Sequence, residues 1–551
     1  MGSIFKNLIK RIFFKILFLF YKVIVKINIK DKKTIPSNYV DDIYEIYPSP
    51  EEKKYNDKII LPYVQVNNFN RHNLDRPFEV LNISLLKPKT EKTIQLNNTK
   101  NCILPVALID KRDSGTENNL IKLDFDDRKV EIELKYKNRF HYLPIKTKSE
   151  INNLKIQTDT CNLAVGLPFY NDTKLLTDKP KLIVHIFVDA LSKIIIDSVT
   201  EDIMPNINEF FSDGTIFENA FSQADWTLSS MSGVFTGKYS KDHLIFDPRK
   251  GDKISDITLA EILKNNGYIT SLISSIPKLT PLNGFDKGFD RCVLAPNKDS
   301  NYIINEAIEQ LDTFSGNQYM FLGFFDIHEA FQLQPISSQV RNEISNFKYK
   351  NIKKGTNLSI LYDHERLKMC INTIKHFDNK LKSLFKKINQ YDEKATVVLH
   401  SDHGVDFITK NTQRLSKERE KVSFMIKGSN IDKSIDKSVR EIREIPSMIL
   451  NSINIDNQII YNNNGFAITE SIYPNQEYEL SIRNSKYVLF FQVPWNIFKQ
   501  KLAIENHYKT SFHEVINENK ISNNNDYVLM LQMALDHYAD LIKNLKESQD
   551  Q

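Results

Sequence analysis

The stretch "KLIVHIFVDA", residues 181–190, constrains the fold more than any other part of the chain. A nearly unbroken apolar run closed by a carboxylate suits a strand buried on both faces, as in a parallel sheet covered by helices. Helical patterns alternate with further runs of this kind: "TLAEILKNNGY" before "ITSLISS", then "QYMFLGFFD" and "ATVVLHSD". The alternation predicts an α/β, doubly wound domain. Ligands of such sheets bind beyond the carboxyl ends of the strands. Asp189, Asp326 and Asp402 stand at three of those ends. Converging carboxylates there predict a metal site.

Two regions precede this pattern. Residues 1–35 carry "FKNLIKRIFFKILFLFYKVIVKINIK", apolar but interrupted by Lys and Arg. At about 100° per residue, Arg11, Lys15, Lys22 and Lys26 share one stripe of a helix, leaving a broad Phe, Leu, Ile and Val face. The charge-free stretches fall short of the ~20 residues that span a bilayer, and no small-residue cleavage site follows. The segment reads as a basic amphipathic helix in a membrane interface. That reading expects a membrane-associated protein working on the cytoplasmic face. A signal-anchored extracytoplasmic enzyme, or a helix docked on the protein's own core, are the alternatives. Residues 41–178 alternate apolar and polar positions around polar turns, as in "LIKLDFDDRKVEIELKYKNRFHYLPI". This predicts a β-sandwich-like accessory domain without a catalytic cluster.

Composition excludes several classes. A net charge of +5 over 551 residues is too weak to argue for nucleic acid, and no nucleic-acid motif is present. Cys102, Cys161, Cys292 and Cys370 are scattered without a CxxC pair, against a disulfide framework or a cysteine zinc site.

In order along the chain, "MPNINEFFSDGTIFENAF", "TLAEILKNNGY", "GFDKGFD", "FFDIHEAF", "SDHG" and "VSFMIKGSNI" resemble the alkaline phosphatase/sulfatase superfamily from about Lys181 onward. The resemblance implies a catalytic α/β domain over 179–475 and a small C-terminal antiparallel subdomain over 476–551. In this family a nucleophile precedes the Thr of a Thr-Gly stop by nine residues; here that Thr is Thr236, which implies Thr227. Read from its residues alone, Thr227 is either a nucleophile or the N-cap of the helix that follows. That helix would also turn free N–H groups toward an anion, with Ser229, Ser230, Ser232 and Gly233 allowing close packing.

The resemblance implies metal ligands Asp189, Thr227, Asp402 and His403. This oxygen-rich set with one imidazole suits one divalent ion, Mn²⁺ or Mg²⁺, with Zn²⁺ or Ca²⁺ as alternatives. His328 matches the histidine that relatives place beside the substrate. Asp326, Trp226, Lys410, Arg414 and Lys417 are candidate substrate-binding residues. Sulfatases carry Cys or Ser in a Cys-x-Pro-Ser-Arg pattern; here the stretch reads Thr227-Leu228-Ser229-Ser230-Met231. Their Gly-Lys-Trp-His stretch is replaced by "LISSIPKL". Two-zinc relatives need further histidines, and none follows His403 until His507. The three departures point to the single-metal, threonine-nucleophile branch, similar to lipoteichoic acid synthase. The expected substrate is a cell-surface glycan or lipid-linked phosphoester, with transfer and hydrolysis both open. A sulfatase-type ester hydrolase and a degenerate glycan-binding member are the competing readings.

Overall fold

The computed structural model of the chain describes residues 59–60 and 78–550, apart from 81, 110–118, 126–127, 136–139, 171–178, 247–251, 297, 329–363, 406, 409–413, 457–458, 460–463, 473–476, 494–507, 517–518 and 523. The basic segment 1–35 lies outside the described residues. Among the described residues no helix is long and apolar enough to cross a membrane.

The expected α/β sheet is present, with nine strands among the described residues. In order across it run Ser434–Glu441, Thr215–Phe221, Phe424–Lys427, Thr396–His400, Leu182–Val188, Gln318–Phe324, Ile269–Ser274, Arg291–Leu294 and Phe78–Val80. The five from Thr396–His400 to Arg291–Leu294 are mutually parallel. Phe424–Lys427 runs antiparallel to both of its neighbours, and Phe78–Val80 closes the other edge antiparallel to Arg291–Leu294. This edge strand comes from within the accessory region, between two strands of its own sheet, Ile59–Ile60 and Asn82–Leu86. At three residues it is too short to leave a periodic signal in the sequence.

All seven residues of Leu182–Val188 are buried, which is why that segment lacks a polar alternation. Ile183 and Phe187 enter one core with Leu228, Met231 and Leu272. Leu182, Val184, Ile186 and Val188 enter the opposite core with Ile303, Leu322 and Phe377. The polar exception is His185, whose ring lies 4.8 Å from that of His400, with Nδ1 3.3 Å from the Tyr319 hydroxyl. Burial, reinforced by His400, holds His185 well below the usual imidazole range.

His243, at the end of the short helix Ser240–His243, is likewise pushed down, to about 4, by burial. Both rings are neutral in the folded chain and free to protonate in the unfolded one. The unfolded chain therefore binds more protons below the ordinary value of 6.5, so stability falls as pH drops through that value, continuing toward about 4 for His243. Between pH 6.5 and 5 each ring costs about 2 kcal/mol at most. His400 is lowered in the same way, to about 4, while the carboxyls of Asp402 and Glu444, raised by burial to about 6 and about 7, act in the opposite sense. The His243 part is read by difference: His243→Gln should lose less of its thermal midpoint between pH 7 and pH 5 than wild type, and an equal loss refutes this.

Among the described residues the accessory region forms one eight-stranded antiparallel sheet. Its long strands Lys92–Ile109 and His141–Gln157 pair along their length, with register shifts between Gln95 and Asn101. Cys102, Leu104, Val106 and Leu108 share a core with Ile121, Leu154 and Leu163 of the same sheet, so the sheet curls over itself. The opposite face, with Ile103, Ala107 and Phe169, packs on Ile269 and Phe314. Ile269 opens its strand and Phe314 caps the end of the helix Ser300–Thr313, four residues before the strand Gln318–Phe324, so the accessory sheet docks at the end of the nine-stranded sheet opposite Asp189 and Asp402. Arg291 fastens the contact, with Nε donating to the Tyr142 hydroxyl at 2.8 Å and Nη1 to Gln310 Oε1 at 2.8 Å.

The C-terminal sheet joins Ala467–Ser471, Tyr478–Arg483, Tyr487–Val493 and Lys509–Glu514, all antiparallel. Its first strand begins ahead of the residue-476 boundary read from the sequence. The helix Asn525–Asp550 covers it through Met530, Ala534 and Tyr538 against Leu480 and Phe491.

Candidate active site and metal centre

Three parallel strands end side by side at the middle of the sheet. Val188 pairs with Phe324, and Phe187 with His400. Asp189 follows immediately, its N–H donating to the Phe324 carbonyl at 3.0 Å. Ala190 then adopts φ 61°, a left-handed conformation that costs a non-glycine residue about 1–3 kcal/mol. This turn presents the Ala190 N–H to Asp402 Oδ1 at 3.2 Å. The His403 N–H donates to the same oxygen at 2.9 Å. One carboxylate oxygen thereby ties two neighbouring strand ends together, and Asp402 keeps its second oxygen for the site. Gly404 completes the motif because a Cβ there would collide with the Glu418 carbonyl oxygen.

His403 Nδ1 lies 2.8 Å from the Gly404 carbonyl, which can only accept. Nδ1 therefore carries a hydrogen, and in the neutral ring Nε2 holds the lone pair. That nitrogen stands 3.3 Å from Asp402 Oδ2, 3.7 Å from Asp189 Oδ1 and 3.4 Å from Thr227 Oγ1. His328 Nε2 lies 3.9 Å from the same Asp189 oxygen, its ring stacked on Phe325. Ligand atoms of Asp189, His328 and His403 all lie within 4.8 Å of one another. In the neutral ring that lone pair faces two carboxylate oxygens, a repulsive arrangement that a proton or a cation among them relieves, and the nitrogen and oxygen donors fit a divalent ion. Burial pushes the Asp402 carboxyl up to about 6, against the opposing pull of the Ala190 N–H, His328 and the Thr227 hydroxyl.

Thr227 opens the helix Thr227–Thr236, every residue of which is buried. Its N-cap is Trp226, in extended backbone and without a side-chain cap bond, so the Thr227 hydroxyl is not the cap. A Cβ at Gly233 would strike the Gln223 amide and approach the Lys238 carbonyl to 2.7 Å. The small residue there lets the helix seat against the segment that delivers Thr227. Ser230 adds a direct tie, with Oγ donating to the Asp402 carbonyl at 2.9 Å.

The structure thus brings together Asp189, Thr227, His328, Asp402 and His403. Asp326 turns to the start of the helix Ser300–Thr313, where Oδ1 accepts from the Ser300 N–H at 3.0 Å and its hydroxyl at 2.8 Å, with Lys380 at 3.7 Å. Arg414 pairs with Glu479 of the C-terminal sheet at 3.1 Å. Lys417 is exposed in the short helix Lys417–Glu420. Trp226 is half-buried between the main core and the C-terminal cluster. Lys410 lies outside the described residues.

Sequence reasoning passed over Arg419, a buried residue of that short helix. Its guanidinium donates from Nη2 to the Asp225 carbonyl at 2.9 Å, and its own carbonyl accepts the Gly404 N–H at 2.7 Å. In the sequence it sits inside "SKEREK", which reads as a solvated charge run.

A family model described as Sulfatase matches residues 181–451. No curated protein sequence matches the chain. Among solved structures, the phosphonate monoester hydrolase of Agrobacterium radiobacter aligns at 11% identity and TM-score 0.50, covering 66% of this chain and 96% of that one. A putative sulfatase from Bacteroides thetaiotaomicron aligns at 13% identity and TM-score 0.49, over 67% and 94% of the two chains. An alkaline phosphatase superfamily protein from Vibrio parahaemolyticus aligns at 15% and 0.46, over 68% and 88%.

Proposed function

We propose that the protein, whose residues 181–451 match the Sulfatase family model, is a metal-dependent phosphotransferase or phosphodiesterase of the alkaline phosphatase superfamily acting through Thr227. The observation that carries this reading is the Thr227 hydroxyl. It lies after the N-cap, Trp226, and stands 3.4 Å from Nε2 of His403.

Asp189, Thr227, Asp402 and His403 would hold the divalent ion, Mn²⁺ or Mg²⁺ fitting an oxygen-rich set best and Zn²⁺ or Ca²⁺ less well. When bound, the ion supplies the positive charge that makes the Thr227 hydroxyl acidic at neutral pH. Thr227 Oγ1, its own proton released to solvent, bonds to phosphorus as the bond from phosphorus to the leaving alcohol breaks. His328 gives the leaving oxygen its proton; its side chain is 32% exposed against 5% for His403, so it is the imidazole that an incoming substrate meets. An acceptor hydroxyl or water next attacks phosphorus, returns a proton to His328 and frees Thr227. A sugar or lipid hydroxyl makes the outcome transfer, and water makes it hydrolysis. Incubation with a phosphodiester and Mn²⁺, followed by acid quenching and mass spectrometry, should find phosphate on Thr227. Turnover with no phosphate on that residue in the quenched protein opposes the covalent route.

The family match also favours a second reading, hydrolysis of a sulfate ester. A threonine hydroxyl in place of the modifiable Cys or Ser argues against it, and turnover of p-nitrophenyl sulfate exceeding that of phosphodiesters would support it. The converging cluster at the strand ends argues against a degenerate, purely glycan-binding member.

The basic apolar segment 1–35 directs the proposal toward a glycan or lipid-linked phosphoester at a membrane surface. An exposed apolar face of that breadth drives aggregation in water, and each basic residue near an anionic surface adds on the order of 1 kcal/mol. The full chain should co-sediment with anionic vesicles and a chain lacking residues 1–33 should not. Equal sedimentation of both removes the membrane assignment.

A further inference from the structure

The two halves of the site arrive from distant parts of the chain. Thr227 follows the segment Ser222–Trp226, while Asp402 and His403 follow the strand Thr396–His400. Arg419 touches both. Its carbonyl takes the N–H of Gly404, the residue after His403, at 2.7 Å. Its Nη2 donates to the carbonyl of Asp225, two residues before Thr227, at 2.9 Å. Its neighbour Glu420 accepts the Ser222 N–H through its carbonyl at 2.9 Å.

Asp225 is held on every side. Its N–H donates to the Glu470 carbonyl at 3.2 Å, and its Oδ2 accepts from the Ser471 hydroxyl at 2.8 Å. Thr469 donates to the Ser222 carbonyl at 2.6 Å. Asp225, Glu470 and Ser471 are fully buried, and Arg419 is 8% exposed. The nucleophile segment is therefore gripped between Arg419 on one side and the C-terminal strand Ala467–Ser471 on the other.

We infer that Arg419 is a positioning residue that sets the separation between Thr227 and His403, with Ser471 fixing Asp225 from the C-terminal sheet. A planar guanidinium suits this task, because it holds its hydrogen bonds in a fixed direction where an ammonium swivels. A displacement near 1 Å at a reacting atom costs about 100-fold in rate. The inference rests on Thr227 being the nucleophile, and it makes the C-terminal subdomain part of the active site's framework.

The test uses the full chain with bis(p-nitrophenyl) phosphate and Mn²⁺. Arg419→Lys should lower kcat about 10- to 100-fold with KM little changed. Arg419→Ala should lose at least as much and regain part of it when millimolar guanidinium chloride is added. Ser471→Ala, which keeps the backbone grip, should lose only a few-fold in kcat. If Arg419→Ala does not fold, Arg419→Lys and Ser471→Ala still decide the matter. Wild-type kcat in Arg419→Lys overturns the inference. So does a raised KM at constant kcat, which would mean that Arg419 binds substrate itself. Thr227→Ala run in parallel separates the two failures. An active Thr227→Ala overturns the nucleophile reading, whereas an inactive one beside a fully active Arg419→Lys overturns the positioning role alone.

Discussion

Thr227→Ala is expected to lower kcat on a phosphodiester by at least about 10⁴-fold, equivalent to about 5.4 kcal/mol of transition-state stabilisation, while leaving the fold and its thermal midpoint nearly unchanged. Removing the hydroxyl removes the atom that bonds to phosphorus; what remains is charge stabilisation and binding. The fold should tolerate the change for a structural reason. Thr227 follows the N-cap, and its side chain makes no capping bond, so the usual cost of about 1 kcal/mol for deleting a cap does not apply. Thr227→Ser supplies the control, because it keeps the hydroxyl and should retain measurable turnover with phosphate trapped on Ser. A Thr227→Ala enzyme within ten-fold of wild type would end the assignment. Loss of helical signal in the variant would show a capping role that the geometry does not contain.

The residues that meet at the site were legible in the sequence to very different degrees. Asp189 and Asp402 were visible because each closes a buried apolar strand, and parallel strands deliver such residues to a common edge. Thr227 was visible only as a choice between cap and nucleophile; Trp226 as N-cap removes the first, and the second stands as the proposal tested above. Asp326 looked equivalent to Asp189 by the same rule. Its strand ends level with Leu182–Val188, yet its carboxylate turns to the Ser300 N–H, a choice made by a helix start 26 residues earlier. Arg414 and Arg419 lie in one polar stretch with no periodicity to separate them. Only the C-terminal sheet does so, drawing Arg414 to Glu479 while Arg419 turns inward to Asp225. The antiparallel edge strand Phe78–Val80 was invisible because its pairing partner lies more than 200 residues away. Local pattern thus encoded the elements and their ends, while contacts between distant segments decided which polar side chains face the site.

Loss of the divalent ion is the second large effect expected, and it separates the ligands by chemistry. Wild-type protein loaded with Mn²⁺ and desalted should retain one ion per chain, and chelation should lower its thermal midpoint. An ion held at 100 times its dissociation constant stabilises the folded state by about 2.7 kcal/mol. His403→Ala removes the buried nitrogen whose lone pair faces Asp189 and Asp402, and should abolish retention. Asp402→Asn should abolish it by another route. Asp402 Oδ1 already accepts from the N–H groups of Ala190 and His403, so the amide oxygen of Asn takes that place. The amide NH₂ then occupies the Oδ2 position, 3.3 Å from His403 Nε2 in the wild type, and donates to that lone pair. A hydrogen bond replaces the cation and a buried carboxylate is neutralised. In chelator Asp402→Asn should therefore melt at or above wild type, and with Mn²⁺ it should melt below it. Two ions per chain, or a wild-type midpoint indifferent to both Mn²⁺ and chelator, would refute the single-ion centre. An Asp402→Asn variant that melts well below wild type in chelator would show instead that the carboxylate holds the two strand ends together through its charge.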